Sequence, residues 1–120
     1  MLDIIKNIFG KRKHMNNDFK EQYKYYNPGS LTIGWVCLGS VENQFCKSVL
    51  MLAIQRKELL NNFITMEGNV LTVIRTELVE KFLTNTQDEW LLMVDSDVSF
   101  TPEDVDALFD VVIEIGRAHV

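Results

Sequence analysis

The alternation of apolar and polar positions predicts three strands and three helices after residue 30. Short apolar runs bounded by turn residues are typical of strands, whereas apolar positions recurring three and four residues apart are typical of helices. The predicted strands are 31–38, 63–66 and 90–94, and the predicted helices are 44–60, 71–84 and 102–112. This strict alternation predicts an α/β domain with a mostly parallel sheet and right-handed crossovers.

The first 28 residues have a different character. Leu2, Ile5 and Ile8 share one face if this stretch is helical, and basic residues 11–13 follow them. We expect a short helix packed on its own protein or a loose leader, with an amphipathic anchor at a membrane surface as the alternative. The turn-rich residues 25–30 then mark the border of the domain.

Composition narrows the classes of protein. The 120 residues are 47% hydrophobic and 24% charged, as in an ordinary globular domain, and the net charge of −5 gives no case for nucleic-acid binding. No apolar stretch is long enough to cross a bilayer. Cys37 and Cys46 show no metal-binding or disulfide spacing, so we expect buried free thiols in a reducing cytoplasm. For the location of the protein, weak contact with a membrane surface through the N-terminal segment is the open alternative.

The candidate chemistry lies in the triplet Asp95-Ser96-Asp97, directly after the apolar run at 90–94. Such a run predicts a strand buried on both faces, and ligands of open α/β sheets bind at the carboxyl ends of such strands. If the strand continues through the triplet, Asp95 and Asp97 point to one face and Ser96 to the other. Paired carboxylates favour Mg²⁺ or Mn²⁺, especially when a substrate phosphate completes the shell. The alternative is a solvated cap on the next helix.

The residues after the triplet predict a helix start and then an unusual end. Thr101 can accept a hydrogen bond from the Asp104 amide, and Pro102 suits a first helical turn. Residues 115–120, in contrast, can be encoded by the start of a common short-read sequencing adapter. We expect that this tail is not native and that the native gene continues in its place. His119 is therefore excluded from any metal-binding or catalytic role. The alternative is an ordinary frayed C-terminus. A three-stranded sheet would then leave an exposed apolar edge.

Three segments together resemble the nucleotide-sugar-binding half of GT-A glycosyltransferases, in particular the short family-2-like and phage-type enzymes. They are IGWVCLGSV at 33–41 followed by Phe45 and SVL at 48–50, GNVLTVIRTELV at 68–79, and WLLMVDSDVSFTP at 90–102. The resemblance implies a truncated, Rossmann-like GT-A fold made of a leader at 1–28, the N-terminal half of the transferase domain at 29–114, and the non-native tail.

The resemblance also implies roles for individual residues. Asp97 would be the main ligand of Mn²⁺ or Mg²⁺, and Asp95 would contact the metal or the donor ribose, with Ser96 beside them in the substrate site. Arg75 would grip the diphosphate of a nucleotide-diphosphate sugar, which suits its planar guanidinium. The position after it, often asparagine in the family, is Thr76 here. A surface ion pair with the acids near Glu77, or with other neighbouring acids, is the alternative for Arg75.

The loop at Gly39 and Ser40 would lie against the nucleotide, or else be a plain strand-to-helix turn. The acceptor is unknown, and the catalytic base is expected in the missing C-terminal half, so the fragment by itself would not catalyse transfer. Two other classes stay open. A haloacid-dehalogenase-like phosphatase would use Asp95 and Asp97, although its motif normally opens the fold. A receiver-like Mg²⁺-binding signalling module would carry its acidic pair on the first strand, which has none.

Overall fold

The computed structural model describes residues 2–6 and 30–118, which form an α/β unit with a four-stranded mixed sheet and three helices. In chain order the elements are β1 (Leu2–Lys6), β2 (Leu31–Cys37), α1 (Asn43–Gln55), β3 (Leu60–Glu67), α2 (Leu71–Asn85), β4 (Trp90–Asp95) and α3 (Pro102–Ala118). The sheet order is β1-β4-β2-β3. Strands β2, β3 and β4 are parallel, and β1 is antiparallel to β4. The architecture is compatible with a Rossmann-like α/β fold.

Strand β4 lies inside the sheet, as predicted from its uninterrupted apolar run. It pairs with β2 on one side and with β1 on the other. All five residues from Trp90 to Val94 are buried. Burial on both faces follows because alternate side chains enter two separate apolar clusters, one on each side of the sheet.

Strand β1 corrects the prediction for the start of the chain. Residues 2–6 form a strand, so the prediction of a helix is wrong for these residues. Leu2 and Ile4 alternate with more exposed residues and pack against the main core, which is the period of a strand. The rest of the predicted leader, residues 7–29, lies outside the described residues. Because β1 pairs along β4, the sheet has four strands in the described residues and β4 is not an edge strand.

Helices cover both faces of the sheet. Helices α1 and α3 pack with Leu31, Ile33 and the inward residues of β4 to form the larger core, whereas α2 covers the opposite face over β2 and β3. Gly34 allows α2 to approach closely, because a Cβ atom there would lie 2.8 Å from a Leu78 methyl carbon. The resulting arrangement has three layers.

Three predicted boundaries differ from the structure by more than one residue. The last helix continues to Ala118 and does not end at residue 112. The first helix ends at Gln55 rather than near residue 60, and β3 extends over Leu60–Glu67 rather than 63–66. Pairing with β2 extends β3 to Leu60, so it begins before its own apolar run. Cys37 is buried as predicted, but Cys46 is exposed on α1, so the expectation of two buried thiols is wrong for Cys46.

The predicted start of α3 is confirmed. The Asp104 amide donates to the Thr101 hydroxyl at 3.1 Å, and the Thr101 amide donates to the Asp104 carboxylate at 2.9 Å. This reciprocal pair satisfies two backbone donors at the helix start. In the described part of the chain, no helix is both long enough and apolar enough to span a bilayer.

Candidate functional site

A cavity of about 400 Å³ opens at the carboxyl ends of β2 and β4. Val36 and Asp95 are partners in adjacent parallel strands, so the loops that follow these strands leave the sheet side by side. The cavity is lined by Val36, Leu38, Gly39, Ser40, Glu42, Leu71, Arg75, Asp95, Ser96 and Asp97. The structure therefore brings together all six residues that the sequence singled out, Gly39, Ser40, Arg75, Asp95, Ser96 and Asp97. Glu42 and the apolar residues of the lining were not predicted.

The local geometry of the triplet differs from the prediction. Strand β4 ends at Asp95, and Ser96 and Asp97 lie in a turn in which the Val98 amide donates to the Asp95 carbonyl at 3.1 Å. Strand alternation therefore stops before Ser96, and Ser96 lines the same cavity as the two carboxylates. The expectation that Ser96 faces away is wrong, because its premise of a continuing strand does not hold.

Helix α1 and the residue before it hold this loop in place. The Glu42 amide donates to the Ser96 carbonyl at 3.0 Å, and the Gln44 side-chain amide donates to the Asp97 carbonyl at 3.1 Å. The buried Ser48 hydroxyl accepts from the Phe100 amide at 2.9 Å and donates to the Gln44 carbonyl at 3.0 Å. The position of Asp97 is thus fixed by contacts made through its own backbone and its neighbours.

The sequence offered a signal for this contact that the prediction did not use. Ser48 lies between Phe45 and Leu52 on the buried face of α1, where an apolar residue is the rule. A buried hydroxyl needs hydrogen-bond partners, so its presence in an apolar stripe indicates a nearby backbone group to be satisfied. The partner 52 residues away could not be named from the sequence.

An ion pair joins two of the predicted site residues. Arg75, on α2, donates from Nη2 to Oδ1 of Asp95 at 2.8 Å, and the side chains are 30% and 36% exposed. Arg75 therefore does make an ion pair, but its partner is Asp95 in the site and not an acid near Glu77. The Asp97 side chain is exposed and makes no hydrogen bond or ion pair with the described residues.

The environment of Asp95 favours its charged form. Burial alone raises the pKa of this carboxyl, but the hydrogen bonds and positive charge around it, those of the Arg75 guanidinium among them, act in the opposite direction and prevail. The net pKa of Asp95 lies below its ordinary value of 3.8. Asp95 is therefore a carboxylate at neutral pH.

Two helix starts face the same cavity. The residue preceding α1, Glu42, and the first residue of α2, Leu71, both line it. Neither helix has a side-chain hydrogen bond at its N-cap. Backbone amides at a helix start lack partners within the helix and carry partial positive charge. With Arg75 beside them, they give this end of an otherwise acidic cavity an attraction for anions.

The carboxylates of the cavity could hold a metal ion only if a bound ligand supplied further oxygen atoms. Within residues 2–6 and 30–118, no group of three or more His, Cys, Asp or Glu side chains is arranged to bind a metal ion. Mg²⁺, however, often takes one or two carboxylates from the protein and the rest of its shell from water and substrate phosphates. Asp95 and Asp97 fit that chemistry, and they do not fit a closed, all-protein metal site.

Comparisons of the chain with protein-family models, with curated proteins and with solved structures found no match.

Proposed function

We propose that this chain binds a nucleotide-diphosphate sugar as the donor-binding part of a metal-dependent glycosyltransferase of the GT-A type. The observation that carries the proposal is the cavity at the ends of β2 and β4, where Arg75 and the two carboxylates of the triplet meet. Its volume of about 400 Å³ falls in the range of small-molecule sites, roughly 300–1,000 Å³. Ligands of open α/β sheets bind at this end of the strands.

The cavity residues would match the parts of a nucleoside diphosphate and its metal. The Arg75 guanidinium and the starts of α1 and α2 would attract the diphosphate, and the loop at Gly39 and Ser40 would lie against the nucleoside. Asp97, exposed and without a side-chain partner among the described residues, would be the principal ligand of Mn²⁺ or Mg²⁺. Asp95 would contact the metal or the ribose. The metal, when bound, would offset the negative charge that gathers on a departing nucleoside diphosphate.

In this proposal the full-length enzyme transfers the sugar, a hexose, to an acceptor of unknown class. No catalytic base is assigned among the described residues. A haloacid-dehalogenase-like phosphatase with Asp95 as its nucleophile is less suited, because that motif normally opens the fold, whereas β2, α1, β3 and α2 all precede Asp95 here.

The proposal is tested by thermal unfolding of the whole chain in the presence of uridine, guanosine, adenosine and cytidine diphosphates. Each nucleotide is added with Mn²⁺ and, separately, with a chelator. A ligand that binds only the folded state raises its stability, by about 2.7 kcal/mol at a hundredfold excess over its Kd. We expect at least one nucleoside diphosphate to stabilise the protein with Mn²⁺ and much less with chelator.

The controls separate the competing classes. Nucleoside monophosphates lack the diphosphate and should stabilise the protein less. No stabilisation by any nucleoside diphosphate with Mn²⁺ would overturn the proposal. A covalent phosphate on Asp95 after incubation with a phosphomonoester would replace it with the phosphatase.

A further inference from the structure

Arg75 faces two competing demands in the same cavity. In the structure its guanidinium is held by the Asp95 carboxylate at 2.8 Å, and within the described residues this is its hydrogen-bond partner. The function proposed above requires Arg75 to bind the donor diphosphate and allows Asp95 to bind the metal. While the two side chains are paired, each has less freedom to meet its own ligand.

The ion pair is weak enough to be exchanged. Both side chains are about one-third exposed, and ion pairs open to solvent contribute little to stability. A diphosphate carries more negative charge than one carboxylate and offers several oxygens to the planar guanidinium fork. The replacement of Asp95 by a diphosphate therefore costs little and gains stronger charge-assisted hydrogen bonds.

Resting on the proposed function, we propose that Asp95 is an intramolecular competitor for Arg75. It occupies the guanidinium in the empty cavity, and an entering diphosphate takes Arg75 and releases the Asp95 carboxylate toward the metal that accompanies the ligand. Asp95 thus weakens diphosphate binding when no metal is present and strengthens it when metal is present. Asp97, without a side-chain partner among the described residues, opposes a metal-free diphosphate only through its charge.

The chain provides a matched pair of variants for the test. Asp95→Asn and Asp97→Asn each remove one negative charge from the same cavity and keep the shape of the side chain, but only Asp95 is bonded to Arg75. The probe is inorganic pyrophosphate, titrated into the whole chain by calorimetry with chelator present. We expect Asp95→Asn to tighten binding roughly two- to fivefold more than Asp97→Asn, the equivalent of a weak ion pair.

A second comparison repeats the two Asn substitutions in a protein that lacks the Arg75 guanidinium. In the Arg75→Met background, the excess effect of Asp95→Asn over Asp97→Asn on pyrophosphate affinity should shrink, because the guanidinium that Asp95 occupies is gone. Far-ultraviolet circular dichroism confirms that each variant is folded. If Asp95→Asn fails to fold, Asp95→Ser and Asp97→Ser provide the same comparison.

The outcomes distinguish this inference from the proposed function. Equal shifts in the two Asn variants, or a difference between them that is no smaller without Arg75, would overturn the exchange. If that occurs while the wild type still binds a nucleoside diphosphate in the presence of Mn²⁺, the proposed function stands. If the wild type binds neither pyrophosphate nor any nucleoside diphosphate, with or without Mn²⁺, both proposals fail.

Discussion

The Ser48 hydroxyl accepts a hydrogen bond from the Phe100 amide at 2.9 Å, across 52 residues of sequence. Both residues are buried, and the Phe100 ring packs in the larger core. This contact joins the helix that follows β2 to the loop that follows β4, the two segments that border the cavity. The site thus depends on a hydrogen bond made by a residue outside the cavity lining.

Removal of that hydroxyl should destabilise the protein. In Ser48→Ala the buried Phe100 amide loses its partner, and an unsatisfied buried group costs about 1–3 kcal/mol. Urea unfolding should show this loss in the free energy of unfolding. The control is Thr84→Ala, which removes an exposed hydroxyl that donates to the carbonyl of Glu80 within one helix. A loss no larger than in that control would show that the contact is not needed.

Loss of the reciprocal cap should weaken the start of α3. Thr101→Ala removes the acceptor of the Asp104 amide, and loss of an N-cap side chain costs about 1 kcal/mol. Ser99→Ala, a neighbouring exposed position, is the control and should change the free energy of unfolding by less than about 0.5 kcal/mol. Equal effects of the two substitutions on urea unfolding would contradict the capping role.

Prediction from the sequence succeeded where the signal was local. The uninterrupted apolar run of β4 and the Thr101–Asp104 cap depend on neighbouring residues, and both are confirmed. The strand at residues 2–6 was missed because its apolar positions fit both a helix and a strand over so short a stretch. Only pairing with β4, nearly 90 residues later, decides between them.

The same distinction applies to the candidate site. Gly39, Ser40 and the triplet were expected together from the family resemblance, and parallel β2 and β4 do place the loops after both strands at one edge of the sheet. The contact between Arg75 and Asp95 depends on how α2 packs over the sheet, and the sequence did not name that pair. The turn after Asp95 is stabilised from α1, and the simple rule of strand alternation could not foresee it.

Stability should depend on the charge of Asp95 in acid. Because the folded-state pKa of Asp95 lies below 3.8, the unfolded chain binds more protons near that pH and folding stability rises with pH. The contribution is fully present above the unfolded pKa and is lost as the pH falls through the folded pKa. Since the side chain is 36% exposed, the total should stay below about 1 kcal/mol.

The measurement is urea unfolding of wild type and Asp95→Asn from neutral pH to below pH 3.8. The advantage of the wild type should shrink as the solution becomes more acidic. An advantage that stays constant or grows across this interval would contradict the assigned direction.

A side chain at position 39 should strain the loop that borders the cavity. Gly39 has a φ of +138°, whereas an added Cβ would meet no atom within 4 Å. Gly39→Ala should therefore cost about 1–3 kcal/mol through backbone strain and not through a clash. Ser40→Ala, at the next position, is the matched control and should unfold at nearly the wild-type urea concentration. Wild-type stability of Gly39→Ala would show that the loop can adopt another conformation.

The most direct test of the central claim is calorimetric binding of the best-stabilising nucleoside diphosphate to wild type and to Asp97→Asn, with Mn²⁺ in excess. Asp110→Asn makes the same change of charge at an exposed position on α3, outside the cavity. We predict Mn²⁺-dependent binding that is retained by Asp110→Asn and weakened at least about tenfold, or 1.4 kcal/mol, by Asp97→Asn. Wild-type affinity in Asp97→Asn, or equal affinity with chelator and with Mn²⁺, would contradict the account.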